Sequence, residues 1–136
     1  MNTEAINRLY SVINTDAPLD YAPFDYPAAD GDGTSRFGEI HLMRSESASG
    51  KFHAVGFWRV EPGVSPLYDM PLGDETGLVL EGSATIEFLD QNYEVVQTQS
   101  LREGDAYTYE QGTLQRWTVH APFRKFVIVV GDQPAG

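Results

Sequence analysis

The chain of 136 residues contains no cysteine, which excludes a disulfide framework, a thiolate metal site and a thiol nucleophile. No apolar run approaches bilayer length and no charged-then-apolar leader opens the sequence, so a cytoplasmic location is expected. Cations are scarce: nine Lys+Arg stand against twenty Asp+Glu, a formal net charge of −11. That excess repels phosphate backbones and anionic lipid surfaces, which argues against nucleic-acid and membrane partners. A small-molecule ligand is the expected partner. Internal repeats and low-complexity segments are also missing. One domain is therefore expected rather than a duplicated pair.

What is present suffices for a core: 41% of residues are hydrophobic and 12% aromatic, too many for a disordered chain. Thr3 to Ile13 places Ile6, Leu9, Tyr10 and Ile13 at helical spacing behind a Thr3 N-cap, which predicts one short helix. Residues 14–35 carry Pro18, Pro23, Pro27, Gly31 and Gly33, a composition that breaks helix and strand alike. The aromatics Tyr21, Phe24 and Tyr26 predict that this arm packs across the outside of the main body or onto a second subunit. Residues 1–35 thus form a helix and arm, and 36–136 the main body.

The main body reads as short strands: Arg36–Arg44, Lys51–Val60, Gly77–Glu81, Ala84–Leu89, Tyr93–Leu101, Ala106–Glu110, Leu114–His120 and Arg124–Val130. Turn residues separate them, among them Glu61-Pro62-Gly63, Glu81-Gly82-Ser83, Glu103-Gly104-Asp105 and Ala121-Pro122. Short strands at such even spacing predict an all-β sandwich or barrel, and closure removes exposed strand edges.

Within Phe57 to Val130, Pro62-Gly63 opens a motif in which Glu75 is the acidic member and Glu81-Gly82 the closing turn. Gly104-Asp105, Gly112 and Gln115 fall in register with a second motif. This pattern resembles the cupin superfamily. Trp58, Asp74-Glu75 and Trp117-Thr118-Val119 leading into Phe123-Arg124-Lys125 are similar to its ureidoglycine aminohydrolase-like and ethanolamine-utilisation branch. The resemblance implies an all-β, single cupin barrel (double-stranded β-helix, jelly roll), commonly a homodimer.

The departures bear on metal. Asp69, Pro71 and Gln115 stand where cupins usually carry histidines, and a pyrrolidine cannot ligate an ion. Asp69, Glu75 and Gln115 would offer three oxygen donors, a hard set suited to manganese, magnesium or calcium. Work without a cofactor is the favoured expectation, with a divalent metal such as manganese as the alternative.

The catalytic candidates implied by the resemblance are Glu75, Asp69 and Gln115. Two carboxylates in one dry pocket would supply an acid beside a base. Strand alternation groups Gln115, Trp117 and Val119 on one face, Tyr107 and Tyr109 on one face, and Glu75, Gly77 and Val79 on one face. Trp58, Tyr107, Tyr109 and Trp117 would shape the pocket. Lys125 and Arg59 could bind a substrate carboxylate, although cations on strands are most often solvated. His53 and His120 read as structural or exposed. These residues suggest acid–base chemistry of lyase, isomerase or hydrolase type on a small polar metabolite. The alternative is a binding or sensing cupin without turnover.

Overall fold

The computed structural model describes residue 10 and residues 12–134. Strands come in the order β1 (Ala22–Pro27), β2 (Thr34–Glu46), β3 (Lys51–Val60), β4 (Gly63–Val64), β5 (Asp74–Leu89), β6 (Val95–Arg102), β7 (Ala106–Tyr109) and β8 (Leu114–Pro134). All pairings are antiparallel. The hydrogen-bonded order is β1-β2-β3-β8-β5-β6, with β4 on β8 and β7 on β5. Among the described residues there is no helix, and hence none long and apolar enough to cross a membrane. The helix expected over Thr3 to Ile13 falls mostly outside the described residues; Tyr10, Val12 and Ile13 are not helical.

Two long strands organise the sheet. β5 and β8 pair along nearly their whole length, from Asp74↔Val130 to Leu89↔Leu114. The sequence reading cut each in two, at Glu81-Gly82-Ser83 and at Ala121-Pro122. Both cuts are bends within one strand, and they face each other across the pair. Register shifts cluster between Val79 and Ala84, where each strand turns the corner without ending. Gly82 has φ 88°, and a Cβ there would lie 2.3 Å from the Pro122 carbonyl oxygen. Only glycine fits that corner.

The arm departs from expectation more sharply. Ala22–Pro27 is a strand, paired with β2 from Ala22↔Ile40 to Pro27↔Thr34. Pro23 and Pro27 are tolerated because β1 is an edge: a residue without an N–H forfeits no second ladder there. The expected closed barrel is therefore an open jelly roll with β1 and β6 at the ends of its hydrogen-bonded order.

The core follows the two-residue period. Glu75, Gly77 and Val79 are buried on β5, whereas Thr76 and Leu78 face out. Ile86, Trp117, Val119, Phe123 and Val127 pack with Trp58 and Leu101 in one cluster. A cavity beside it brings the site together.

Candidate functional site

The cavity, about 210 Å³, is lined by residues of β1, β2, β3, β5 and β8 and of the segment joining β4 to β5. Its wall is apolar, with aromatic rings prominent in it, among them Phe24, Tyr26, Phe37, Trp58, Tyr68 and Trp117. Two charged groups break that wall, Glu75 and Lys125. Their side chains are 8% and 7% exposed, so each loses its water and must find compensation in the other.

Register explains how they meet. On β8, Lys125 lies opposite Trp58 of β3 and Val79 of β5. Glu75 lies four residue pairs along, opposite Val129 of β8 and Tyr109 of β7. Between them stands Gly77, opposite Val127 and Tyr107. Gly77 leaves a gap that the Tyr107 ring fills: a Cβ at Gly77 would lie 2.5 Å from that ring. Lys125 Nζ donates to Glu75 Oε2 at 2.8 Å and to Tyr107 Oη at 2.5 Å. Tyr107 Oη in turn donates to the same Glu75 Oε2 at 2.5 Å. No hydrogen bond from the described residues falls on Glu75 Oε1.

The surroundings reinforce the triad. Lys125 Nζ sits 4.7 Å from the Trp58 ring centre and 4.5 Å from that of Trp117, within cation–π range of both. Burial pushes the Lys125 ammonium pKa down, while the Glu75 charge and hydrogen bond oppose the shift. Burial, joined by the Glu75 charge and hydrogen bond, holds the Tyr107 phenol well above its usual range. Tyr107 therefore stays a neutral donor at ordinary pH. Tyr26 is pushed up to about 12, by burial first and by the Asp69 charge second.

The other expected catalytic residues, Asp69 and Gln115, do not join Glu75. Asp69 does not line this cavity; it faces a second, more open hollow with Tyr109, Gln99 and the Asp90–Asn92 tip. Its Oδ1 is buried without a hydrogen-bond partner among the described residues. The carboxylate pair expected from the sequence does not form, and an ammonium takes the second carboxylate's place beside Glu75. Gln115 points inward and is 1% exposed, but both its ends are used by the chain. Its Nε2 donates to Met70 Sδ at 2.7 Å, and its Oε1 accepts from Trp117 Nε1 at 2.9 Å. It is a positioning residue that orients a wall indole. Trp58 and Trp117 line the cavity as expected. Tyr107 joins the charged pair, and Tyr109 stacks on it at 4.5 Å while donating to Gln99 Oε1 at 2.8 Å.

This geometry does not fit a metal on the expected donors. Asp69 lies elsewhere, Gln115 Oε1 is occupied by an indole N–H, and Glu75 Oε2 already faces a cation. Among the described residues, no three His, Cys, Asp or Glu side chains gather as a ligand set.

Lys125 is the group that sequence reasoning left between a binder of a substrate carboxylate and a solvated cation, outside the catalytic candidates. Alternation could not select it. Phe123 and Val127 flank it on one face, yet Phe126 and Ile128 on the opposite face are equally apolar. The supposed turn at Ala121-Pro122 also removed the register that links Lys125 to Trp117.

No curated protein matches the chain. Among solved structures, a cupin superfamily protein from Desulfitobacterium hafniense is 16% identical, with TM-score 0.57 over 92% of this chain and 100% of that one. A Salmonella typhimurium protein assigned as ethanolamine utilization protein Q is 15% identical, with TM-score 0.56 over 88% of this chain and 100% of that one. The Schizosaccharomyces pombe Cnp3 cupin domain is 9% identical, with TM-score 0.57 over 85% of this chain and 90% of that one. At these identities the likeness is one of fold. The model of the EutQ-like cupin domain matches residues 46–126, more than half of the chain and including Glu75, Tyr107 and Lys125, so the protein belongs to the EutQ-like cupin family.

Proposed function

We propose that the protein is a small-molecule enzyme in which Glu75 moves a proton to and from a substrate held in the aromatic cavity. The observation that carries this reading is the buried carboxylate whose Oε2 is held by Lys125 and Tyr107 while Oε1 accepts no bond from the described residues. A proton acceptor held this way has fixed geometry and its counter-charge in place, as acid–base catalysis requires. Lyase, isomerase or hydrolase chemistry is open to such a group. The wall favours, for the small polar metabolite expected from sequence, a compact and mostly apolar body with one polar head.

The test begins with a thermal-shift screen of small carbonyl compounds, acids and amides, followed by turnover of any hit. Glu75→Gln should lower turnover by a factor of roughly 100 or more. The variant is checked for folding by circular dichroism, because glutamine leaves the Lys125 charge without its partner. Unchanged turnover in a folded Glu75→Gln protein overturns the reading.

The alternative, a binding or sensing module, is favoured by one feature: Glu75, Lys125 and Tyr107 satisfy one another without a ligand. A hit that stabilises the wild type and is never turned over would support it. The same reading takes the protein as a homodimer.

A further inference from the structure

The chain has two lysines, Lys51 and Lys125. Lys51 is exposed at the start of β3. Lys125 is 5% exposed and lies on the wall of the aromatic cavity. We propose that Lys125 is a nucleophile that condenses with a small, largely apolar aldehyde or ketone to form an iminium in that cavity. This rests on the reading of the cavity as a catalytic site and names its substrate class.

An ammonium must first shed a proton, and the acceptor is at hand: Glu75 Oε2 lies 2.8 Å from Nζ. The transfer converts ammonium and carboxylate into neutral amine and neutral acid, a pair that burial penalises less than two charges. The downward push of burial on the Lys125 ammonium runs in the same direction. The amine lone pair then adds to the carbonyl carbon, and the C=O π pair moves onto oxygen. That oxygen gains a proton as the nitrogen loses one, giving a neutral carbinolamine. Glu75 next protonates the hydroxyl, the C–O bond breaks with its electron pair, and water leaves. The nitrogen lone pair closes the C=N bond. The site ends as iminium and carboxylate, with the same charges it began with.

That conservation of charge is the physical argument for the step. The carboxylate and the two indoles, 4.7 Å and 4.5 Å from Nζ, are arranged around a cation before the reaction. They face a cation at the same nitrogen after it. Stabilising the product therefore requires little reorganisation. The aromatic wall accepts an apolar body beside the carbonyl and keeps out the bulk water that would hydrolyse the linkage.

The experiment incubates the full chain with benzaldehyde or acetophenone, reduces with sodium borohydride, and maps adducts by intact mass and peptide mass spectrometry. A single benzyl-type mass gain on the peptide containing Lys125 is expected. Lys125→Arg keeps the cation and should lose the adduct, whereas Lys51→Arg should keep it. Peptide mapping of the wild type carries the test alone if Lys125→Arg fails to fold. Adducts confined to Lys51 or the amino terminus overturn the proposal, as does equal labelling of folded Lys125→Arg. Thermal stabilisation by benzaldehyde without a trapped adduct removes the covalent step and leaves the acid–base reading of Glu75 standing. Trapping at Lys125 together with full turnover in Glu75→Gln does the reverse. Neither stabilisation nor adduct with either probe overturns the carbonyl class.

Discussion

Gly77 has no functional group, yet the charged triad depends on it. Its missing side chain is the space in which the Tyr107 ring lies, and that ring holds both Lys125 Nζ and Glu75 Oε2. Tyr107 cannot yield easily, because Tyr109 stacks on it at 4.5 Å and Trp117 meets it edge-on. Gly77→Ala should therefore push the hydroxyl out of the triad and destabilise the fold by about 2–3 kcal/mol, the scale of overpacking in a tight core. Denaturant unfolding measures the second effect, and loss of any ligand-induced thermal shift measures the first. Near-wild-type stability would mean that the ring has room to move.

At the scale of the element, β1 is an edge strand that doubles as a wall. Tyr26, 3% exposed, meets the Tyr68 ring at 4.7 Å in an edge-on arrangement, and both rings line the cavity. Tyr26→Ala should cost about 3 kcal/mol, typical of removing a buried aromatic ring, and should open the cavity to water. Tyr26→Phe keeps the ring and should stay close to wild type. Equilibrium unfolding in urea separates the two, and binding of an environment-sensitive dye reports on the cavity. Equal stability of the two variants would show that β1 is no part of the cavity wall in solution.

The whole molecule carries a pH signature set by its buried phenols. Burial raises the pKa of Tyr26, Tyr68, Tyr107 and Tyr109 above the ordinary 10.0. As pH climbs past 10.0, the unfolded chain releases these protons while the folded chain keeps them, so the unfolded state binds fewer protons and stability falls. Lys125 acts in the opposite sense: its pKa is lowered from 10.5, so it adds stability as pH rises toward that value. Four phenols outweigh one amine. The melting temperature should decline steeply above about pH 10, and Tyr107→Phe should blunt the decline. A flat profile from pH 9 to about 11 would contradict the burial of these rings. The proposed homodimer belongs to this scale too. Its arm is engaged in its own sheet, while Leu78 and Val130 remain 42% and 52% exposed on strand surfaces. Light scattering at micromolar concentration should report two chains; one chain would refute it.

Much of this was legible in the sequence. Turn residues and two-residue alternation are local, so they predicted an all-β chain and matched β3 from Lys51 to Val60, and the cupin resemblance turned Glu75 and Gln115 inward. Alternation put Tyr107 beside Tyr109 and, with the resemblance, Trp117 at the pocket, where Trp58 was expected too. What they could not supply is which strand lies beside which, because pairing is decided by contacts far apart in the chain. The bends at Gly82 and Pro122 look like turns until β5 and β8 are seen to bend together. The prolines of the arm read as breakers until β1 is found at an edge, where a missing N–H costs little. Lys125 and Glu75 are 50 residues apart, and either face of the Phe123–Val130 run is apolar enough to be the inner one. Only the register across Gly77 brings ammonium, carboxylate and phenol together, and only there does burial make them depend on one another.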